Sequence, residues 1–235
     1  MEALERLVFL DTETTGLEAR LGHRIIEIAA VEARGRELTG KSLHYYVDPE
    51  REIDPGATAV HGFTWDDLRG KPKFSSIAAE VMAFLGDARV VIHNAPFDLA
   101  FLDQELIRLR QSPIARRAFN VVDSLVMAKE KFPGKRNSLD ALCDRLGVDN
   151  SRRSLHGALL DARLLAEVYF AMTRGQGSLE MSRDESRDTL PNIDSRASLP
   201  LPAVVPVSLS DDAHASHASY ACALAKQSGV ERIWS

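Results

Sequence analysis

The first part of the chain groups its apolar residues into three short runs separated by polar or glycine-containing segments. The first run, residues 7–10, is continuously apolar, which is typical of a strand buried on both faces. The second run covers residues 24–32, and the third covers residues 43–47 and ends at Asp48 and Pro49. Because short connections join the three runs, they predict an antiparallel meander.

Later in the chain, apolar runs alternate with segments of helical periodicity. The spacing of Ile77, Val81 and Leu85 predicts a helix over residues 75–85, with Ser75 as its candidate N-cap. Strands followed by alternating strands and helices predict an α/β fold, in which helices flank a mixed sheet. Further strands are predicted at 89–93 and 119–123, and further helices at 96–110, 124–131, 138–146 and 156–172.

Two segments lack a regular pattern. Residues 48–73 are rich in glycine and proline, which predicts a loop. Residues 175–213 have the polar composition of a flexible linker, whereas residues 214–235 regain large apolar side chains. We therefore expect a folded domain at residues 1–174, a flexible linker at residues 175–213 and a tail at residues 214–235. The tail either folds back on the domain or becomes ordered on a partner.

The composition, 45% hydrophobic and 27% charged, is that of a globular protein that buries a core. No apolar run has the length of a membrane span, and Glu2 and Glu5 stand where a secretory signal would be basic. The two cysteines, Cys143 and Cys222, lie far apart, and Cys143 has the surroundings of a core residue. We therefore expect a reduced, cytoplasmic protein without a membrane partner.

Charge is distributed unevenly along the chain. Residues 1–107 contain 11 Lys or Arg and 19 Asp or Glu, whereas residues 108–153 contain 11 and 5. The net charge of −5 argues against a protein that coats nucleic acid through bulk positive charge. Two interpretations explain this uneven distribution of charge. The acidic segment could bind metal ions beside a basic segment that binds phosphates, or the charges could lie on solvent-exposed faces of helices.

Two carboxylates, Asp11 and Glu13, follow the first predicted strand. Side chains on a strand repeat every two residues, so both are expected on one face. Neighbouring carboxylates repel unless protons or cations intervene, and a divalent cation with oxygen ligands meets that need. A pair of this kind is also common among solvated residues at strand ends. Further acidic or histidine partners are therefore needed to distinguish a metal site from a solvated pair.

Asp98 and Asp161 are the candidate partners. Asp98 follows a predicted strand, and Asp161 lies at the margin of an apolar helix face, where burial is unfavourable unless the carboxylate binds something. His156 lies five residues before Asp161, which is about 140° around an ideal helix. The two share a site only if His156 precedes the helix, which Gly157 permits. Each residue alone is equally compatible with a solvated surface position.

Together these residues resemble the three motifs of the DEDD exonucleases, with His156 marking the DEDDh branch. Residues 5–173 resemble the proofreading epsilon subunits of bacterial DNA polymerase III. The resemblance implies a ribonuclease H-like fold, a five-stranded mixed sheet flanked by helices. The matching segments are DTETTG at 11–16, VHG at 60–62, HNAPFD at 93–98 and HGALLD at 156–161.

The resemblance also implies roles for the charged residues in two-metal-ion hydrolysis from the 3′ end. Asp11 bridges the two ions, Glu13 and Asp161 bind the ion on the nucleophile side, and Asp98 supports the second ion. His156 is the candidate general base for the attacking water. All-oxygen ligands favour Mg²⁺ or Mn²⁺.

A 3′ end has to be held beside these carboxylates. Backbone and side-chain contacts are expected from the turn after Glu13, and stacking from an aromatic ring. Such a site recognises an end rather than a base sequence, so single-stranded or frayed termini are expected to enter it. His61, between the first two motifs, either lines this pocket or has a structural role. The candidate contact residues are Thr12, Thr15, Gly16, Leu17, His61 and Phe97.

Three functions are compatible with these features. The first is a metal-dependent 3′→5′ exodeoxyribonuclease that removes mismatched nucleotides as the proofreading subunit of a bacterial replicative polymerase. The second is a DEDDh exoribonuclease or oligonucleotide-trimming enzyme. The third is a non-catalytic module that bridges polymerase and clamp, which predicts degenerate carboxylates. The intact set of carboxylates and the long tail favour the first.

The tail adds two partner predictions. Residues 214–235 occupy the place where the tail of the family binds the polymerase subunit. Residues 176–181, from Gln176 to Met181, are similar to the sliding-clamp-binding peptide at this position, with the Gln and the Leu but no terminal aromatic residue. A hexapeptide of this kind also arises by chance.

Overall fold

The computed structural model describes residues 5–114, 120–151, 153 and 155–174. The strands in this part are β1 (Arg6–Thr14), β2 (Ile25–Arg34), β3 (Glu37–Tyr46), β4 (Arg89–Ile92) and β5 (Asn120–Asp123). They form one sheet in the order β3-β2-β1-β4-β5. β1, β2 and β3 pair antiparallel, whereas β4 is parallel to both β1 and β5. The predicted meander and the five-stranded mixed sheet are therefore confirmed.

Seven α-helices accompany the sheet within the described residues. They are α1 (Pro55–His61), α2 (Trp65–Leu68), α3 (Phe74–Leu85), α4 (Ala95–Arg108), α5 (Ser124–Lys131), α6 (Leu139–Leu146) and α7 (Ala158–Met172). A short 3₁₀ turn covers Ala19–Leu21. None of the helices in this part of the chain combines the length and apolar character that crossing a membrane requires.

The prediction of a loop over residues 48–73 is wrong, because α1 and α2 lie there. Pro55 begins α1, where a missing N–H costs nothing. Gly62 ends α1 in the left-handed region, at φ 83°. Thr64 and Asp67 form a reciprocal capping box on α2. Glycine and proline therefore delimit two short helices here.

The helix predicted at residues 75–85 is confirmed as α3, but Ser75 is not its N-cap. Lys73 occupies the N-cap position without a side-chain cap, and Ser75 lies inside the helix. Phe74 is completely buried as the first residue of α3. Burial of this aromatic ring therefore accounts for the earlier start, because its free energy exceeds that of one capping hydrogen bond.

The sheet separates two hydrophobic clusters. Val8 and Leu10 pack in the cluster that includes residues of α3 and α4, whereas Leu7 and Phe9 pack with residues of α6 and α7. All four are buried, so the prediction of a strand buried on both faces is confirmed. Cys143 belongs to the second cluster, as its sequence surroundings predicted.

β1 is paired unequally on its two sides. Its pairing with β2 continues along the whole strand to Thr14, whereas its pairing with β4 covers only the segment from Leu7 to Phe9. Beyond Phe9 the β4 side of β1 is therefore free of strand pairing. The residues of β1 beyond Phe9, from Leu10 to Thr14, are thus open to side chains that come from the ends of β4 and from the later helices.

Phe9 joins the sheet to α7. Its ring is completely buried and makes edge contacts with Tyr169 and Phe170, each at a centroid distance of 5.5 Å. We expect Phe9→Ala to lower the free energy of unfolding, measured by urea denaturation, by about 3–5 kcal/mol. Leu38→Ala, at a 41% exposed position in β3, serves as control and is expected to change it by less than about 0.5 kcal/mol. Equal losses in the two variants would contradict the packing described here.

Candidate active site

Asp11 and Glu13 lie inside β1 rather than beyond its end. Asp11 pairs in register with Ala29 and Glu13 with Glu27, so the sheet holds the backbone of both carboxylates in place. Glu13 is buried and Asp11 partly buried. The backbone of β1 is therefore fixed where the two acidic side chains project from one face of the sheet, beyond the segment that pairs with β4.

Asp98 reaches the same place from β4. The chain leaves β4 through Asn94, whose left-handed backbone (φ 66°) asparagine tolerates better than most residues. Pro96 then stands in the first turn of α4, as predicted. Asp98 is buried there, and the Thr12 hydroxyl donates to its Oδ1 over 2.6 Å. The first and second motifs are thus joined by a direct hydrogen bond.

Asp161 and His156 come from the start of α7. The helix begins at Ala158, so His156 precedes it, which is the condition for the two residues to share a site. The His156 backbone N–H donates to the Val60 carbonyl over 3.1 Å. One ligand atom each from Glu13, His156 and Asp161 lie within 4.8 Å of one another. Side chains of the third motif therefore lie next to Glu13 of the first motif.

Arg153 is a site residue that the sequence did not single out. Its guanidinium donates from Nε to Asp161 Oδ1 and from Nη2 to Asp161 Oδ2, each over 2.6 Å, and it also pairs with Asp140. A buried bidentate pair of this kind places one positive charge against the carboxylates. Arg153 lies in the basic stretch 108–153, where its sequence position does not distinguish it from the other cations.

Arg153 also determines the proton position on His156. Its Nη2 lies 2.9 Å from His156 Nδ1, and because a guanidinium only donates, Nδ1 must accept. In this arrangement the His156 ring carries its proton on Nε2. Arg153 therefore occupies the lone pair of Nδ1.

The carboxylates resist ionisation where they lie. Burial, with smaller contributions from Asp98, Asp161 and Glu13, raises the pKa of Asp11 well above its ordinary value. Burial and the charges of Asp161 and Glu27 raise the pKa of Glu13 to about 8, against the opposing charge of Arg153. Burial also raises the pKa of Asp98 to about 7, although the Thr12 hydroxyl opposes the shift. A cation among these groups relieves their repulsion.

Two neighbouring clefts open at this end of β1. The first, of about 420 Å³, contains the carboxylates, and the second, of about 600 Å³, has a mostly apolar wall. Thr12, Glu13, Leu17 and Phe97 line both, so the clefts adjoin. The first is also lined by Asp11, His93, Asn94, Asp98, Ser138, Leu139, Asp140, Arg153, His156 and Asp161. The second is also lined by Thr14, Gly16, Asp54, Pro55, Gly56, Ala57, Val60 and His61.

Five of the six predicted contact residues, all except Thr15, line the second cleft. Leu17 is 80% exposed at its mouth, and Phe97 is partly buried against Phe101. Gly16 lies under the His23 ring, which approaches so closely that a Cβ at Gly16 would be 2.4 Å from it. His61 is buried, and burial lowers its pKa, so it lines the cleft as a neutral ring.

Thr12 and Thr15 have other contacts. Thr12 lines both clefts, and its hydroxyl is bonded to Asp98. Thr15 is completely buried and is not among the residues that line the clefts. Its hydroxyl pairs with His23 and accepts from the Arg24 N–H, and its backbone bonds to Arg24 and Asp54. Thr15 is therefore a turn residue whose polar groups are engaged within the protein.

Known proteins share this arrangement. A family model described as Exonuclease matches residues 8–169. DNA polymerase III subunit epsilon of Rickettsia felis is 48% identical over 185 residues, which is 78% of this chain and 81% of the relative. The epsilon subunit of Escherichia coli K12 is 50% identical over 187 residues, 77% of each chain. The chain belongs to the exonuclease family of these epsilon subunits.

Solved structures agree with this assignment. Exonuclease X in complex with 5′ overhanging duplex DNA superposes with a TM-score of 0.58 at 25% identity, over 73% of this chain and 93% of that one. The nuclease domain of 3′hExo, a DEDDh family member bound to rAMP, superposes with a TM-score of 0.61 over 73% and 92%. At 20% identity the second match shows the fold alone. The predicted ribonuclease H-like fold, DEDDh family and 3′→5′ exonuclease activity are confirmed, and this family depends on divalent metal ions.

The raised carboxylate pKa values make the stability of this exonuclease depend on pH when a chelator is present. Glu13 has a folded pKa of about 8 against an ordinary value of 4.5, so the folded state keeps a proton that the unfolded state loses between these values. The corresponding stability is present below the ordinary pKa and is lost as the pH rises through the folded pKa.

We therefore expect the thermal unfolding midpoint in chelator to fall between about pH 5 and pH 8, and to fall less in Glu13→Gln. Glu32→Gln is the control, because Glu32 is an equally buried carboxylate whose pKa is lowered by Arg6. That variant is expected to keep the wild-type slope. An identical slope in wild type and Glu13→Gln would show that Glu13 is ionised throughout this range.

Proposed function

We propose that this exonuclease removes mismatched nucleotides from DNA 3′ ends, as the proofreading subunit of a bacterial replicative DNA polymerase. The observation that carries the proposal is the position of the carboxylate cleft directly beside an apolar cleft of about 600 Å³. A terminal nucleotide in the apolar cleft has its phosphodiester next to Glu13 and Asp161. The relatives at half identity, named as epsilon subunits, support DNA as the substrate.

The carboxylates fit a pair of divalent ions. Asp11, Glu13, Asp98 and Asp161 are the residues that would hold the ions, with Glu13 and Asp161 on the side of the attacking water and Asp98 on the side of the leaving oxygen. Oxygen ligands favour Mg²⁺ or Mn²⁺. Burial, with smaller contributions from neighbouring carboxylates, raises the pKa of Asp11 and Glu13, and a cation here would favour their ionised forms. When bound, the ions supply the Lewis acidity that activates the attacking water and stabilises the leaving 3′-oxygen.

His156 is the general base of the proposal. Its side chain is 45% exposed, so water reaches it, and its Nδ1 lies 3.5 Å from Asp161 Oδ2. Because Arg153 donates to the same Nδ1, His156 accepts a proton only after this contact opens. Opening it also frees both oxygens of Asp161, which Arg153 otherwise engages. One movement of Arg153 therefore prepares the base and the ligand together.

The apolar cleft holds the 3′ end by shape. Phe97 offers a ring face for stacking, the exposed Leu17 adjoins the same space, and His61 lines its wall as a neutral ring. None of these side chains matches the hydrogen-bonding edge of one particular base, so the cleft does not select a sequence. A paired terminus has to unstack before it enters, at a cost of about a few kcal/mol that a mismatched terminus has largely incurred already.

Hydrolysis of defined ends tests this proposal. With Mg²⁺, we expect a 3′-mismatched primer–template to be degraded faster than the matched duplex, and DNA faster than an RNA oligonucleotide of the same sequence. Asp11→Asn, which keeps the shape of the side chain, is expected to lower the rate by at least about 100-fold while the protein remains folded. Preferential degradation of RNA would contradict the DNA proposal and support an exoribonuclease.

We further propose that residues 175–213 form a flexible linker and residues 214–235 bind the polymerase subunit. Both segments, and the clamp-peptide candidate Gln176 to Met181, lie outside the described residues. Sequence composition supports the proposal, because residues 175–213 contain no aromatic residue, whereas Tyr220 and Trp234 lie in the segment after residue 213.

Deleting residues 175–235 is expected to leave hydrolysis of a single-stranded 3′ end unchanged and to abolish co-purification with the polymerase subunit. The reason is that the residues lining both clefts lie before residue 175. A matched control replaces Gln176 and Leu179 by alanine in the full chain, which removes the clamp-peptide candidate only. Loss of hydrolysis on deletion would mean that the tail completes the active site.

A further inference from the structure

Glu27 is a buried carboxylate that none of the three motifs includes. It lies in β2 between Ile26 and Ile28 and is only 2% exposed. Its Oε1 accepts from His44 Nε2 over 2.7 Å, and its Oε2 accepts from the Ala158 backbone N–H over 3.1 Å. A buried carboxylate is unfavourable unless its oxygens are hydrogen-bonded, and here each oxygen has a donor.

The two partners of Glu27 belong to different parts of the fold. His44 belongs to β3, and Ala158 is the first residue of α7. The first turn of a helix has free N–H groups and a positive end of the helix dipole, so a carboxylate is favourable there. Gly157, the N-cap residue of α7, provides no side-chain cap, which leaves this role to Glu27. One side chain thus fastens the helix start to the sheet.

Glu27 also lies next to two elements of the active site, β1 and the start of α7. Glu27 is paired in register with Glu13 across β1 and β2. On the other side, Asp161 lies in the turn of α7 that Ala158 begins, and its N–H bonds to the Gly157 carbonyl. The separation of Glu13 from Asp161 therefore depends on the contact between Glu27 and Ala158.

We propose that Glu27 is a positioning residue, which holds the first turn of α7 against β2 and so keeps Asp161 and His156 within reach of Glu13. This inference rests on the proposed function, in which Glu13 and Asp161 share an ion. The 4.8 Å grouping of ligand atoms from Glu13, His156 and Asp161 is the geometry that Glu27 maintains. Glu27 has no contact with the substrate clefts and takes no part in the chemistry.

In this proposal Glu27 acts on the active site by holding the first turn of α7 in place, and its negative charge is not the property that matters. Its negative charge opposes ionisation of Glu13, whereas the same charge attracts a cation at the site. A glutamine can keep both contacts, with its carbonyl accepting from Ala158 and its amide donating to His44 Nε2 in the other imidazole tautomer. Alanine keeps neither. Glutamine is therefore the conservative variant that separates geometry from charge.

The test measures Mn²⁺ binding by calorimetry on the full chain, together with kcat and KM for a single-stranded DNA end. We expect Glu27→Ala to weaken Mn²⁺ binding by about 10- to 100-fold, as for other residues that orient metal ligands. Its kcat is expected to fall with little change in KM, because the apolar cleft is intact. Glu27→Gln is expected to restore most of the affinity and rate.

Glu32→Ala is the matched control. Glu32 lies on the same strand, is 3% exposed and pairs with Arg6 away from both clefts. We expect this variant to lower the unfolding temperature and to leave the Mn²⁺ affinity unchanged. If Glu27→Ala changes only the unfolding temperature, as Glu32→Ala does, the positioning role is wrong.

Ala158→Pro provides a second route if Glu27→Ala does not fold. Proline is tolerated at the first helical position and lacks the N–H that Glu27 accepts. The extended backbone of Gly157 (φ −159°, ψ 125°) suits a residue before proline. We expect weaker Mn²⁺ binding in this variant too, and unchanged affinity would overturn the inference. Failure of the wild type to bind Mn²⁺ or degrade DNA ends would instead refute the proposed function.

Discussion

Electrostatic repulsion among carboxylates is the constraint on which the rest of this structure depends. Four acidic side chains line one cleft at the end of β1, where burial, with smaller contributions from neighbouring carboxylates, raises the pKa of Asp11 and Glu13. Burial also raises the pKa of Asp98. A flexible segment would relieve the repulsion by moving apart. The protein instead fixes Asp11 and Glu13 in a paired strand and Asp98 by the hydrogen bond from Thr12. A bound cation lowers the electrostatic energy of such a site, and a metal-dependent nuclease requires this property.

The sheet and the acidic site could be predicted from sequence because their signals are local. A continuous apolar run identifies β1, and carboxylates at a spacing of two on a strand share a face. The roles of residues that depend on contacts with distant parts of the chain could not be predicted from sequence. Arg153 is one cation in a basic stretch, and only the folded chain shows it on Asp161. Thr15 belongs to the first motif, yet its hydroxyl is engaged by His23 and Arg24.

Glu27 did leave a signal that sequence reasoning missed. Glu27 shares its face of the predicted strand with Ile25 and Ala29, which favours burial, and a buried carboxylate needs donors. Periodicity identifies the strand but does not say which distant residue provides the N–H. The helices at residues 48–73 were missed for a related reason. They have 7 and 4 residues, too few for an apolar periodicity to stand out from the glycine and proline that delimit them.

We propose that the four carboxylates hold two divalent ions beside a bound 3′ end. Anomalous diffraction from crystals grown with Mn²⁺ and a nucleoside monophosphate tests it most directly. The account predicts two peaks about 3.5–4 Å apart, one contacting Glu13 and Asp161, the other contacting Asp98, with Asp11 touching both and Arg153 withdrawn from Asp161. A single peak, or Arg153 still bound to Asp161 beside the ions, would contradict it.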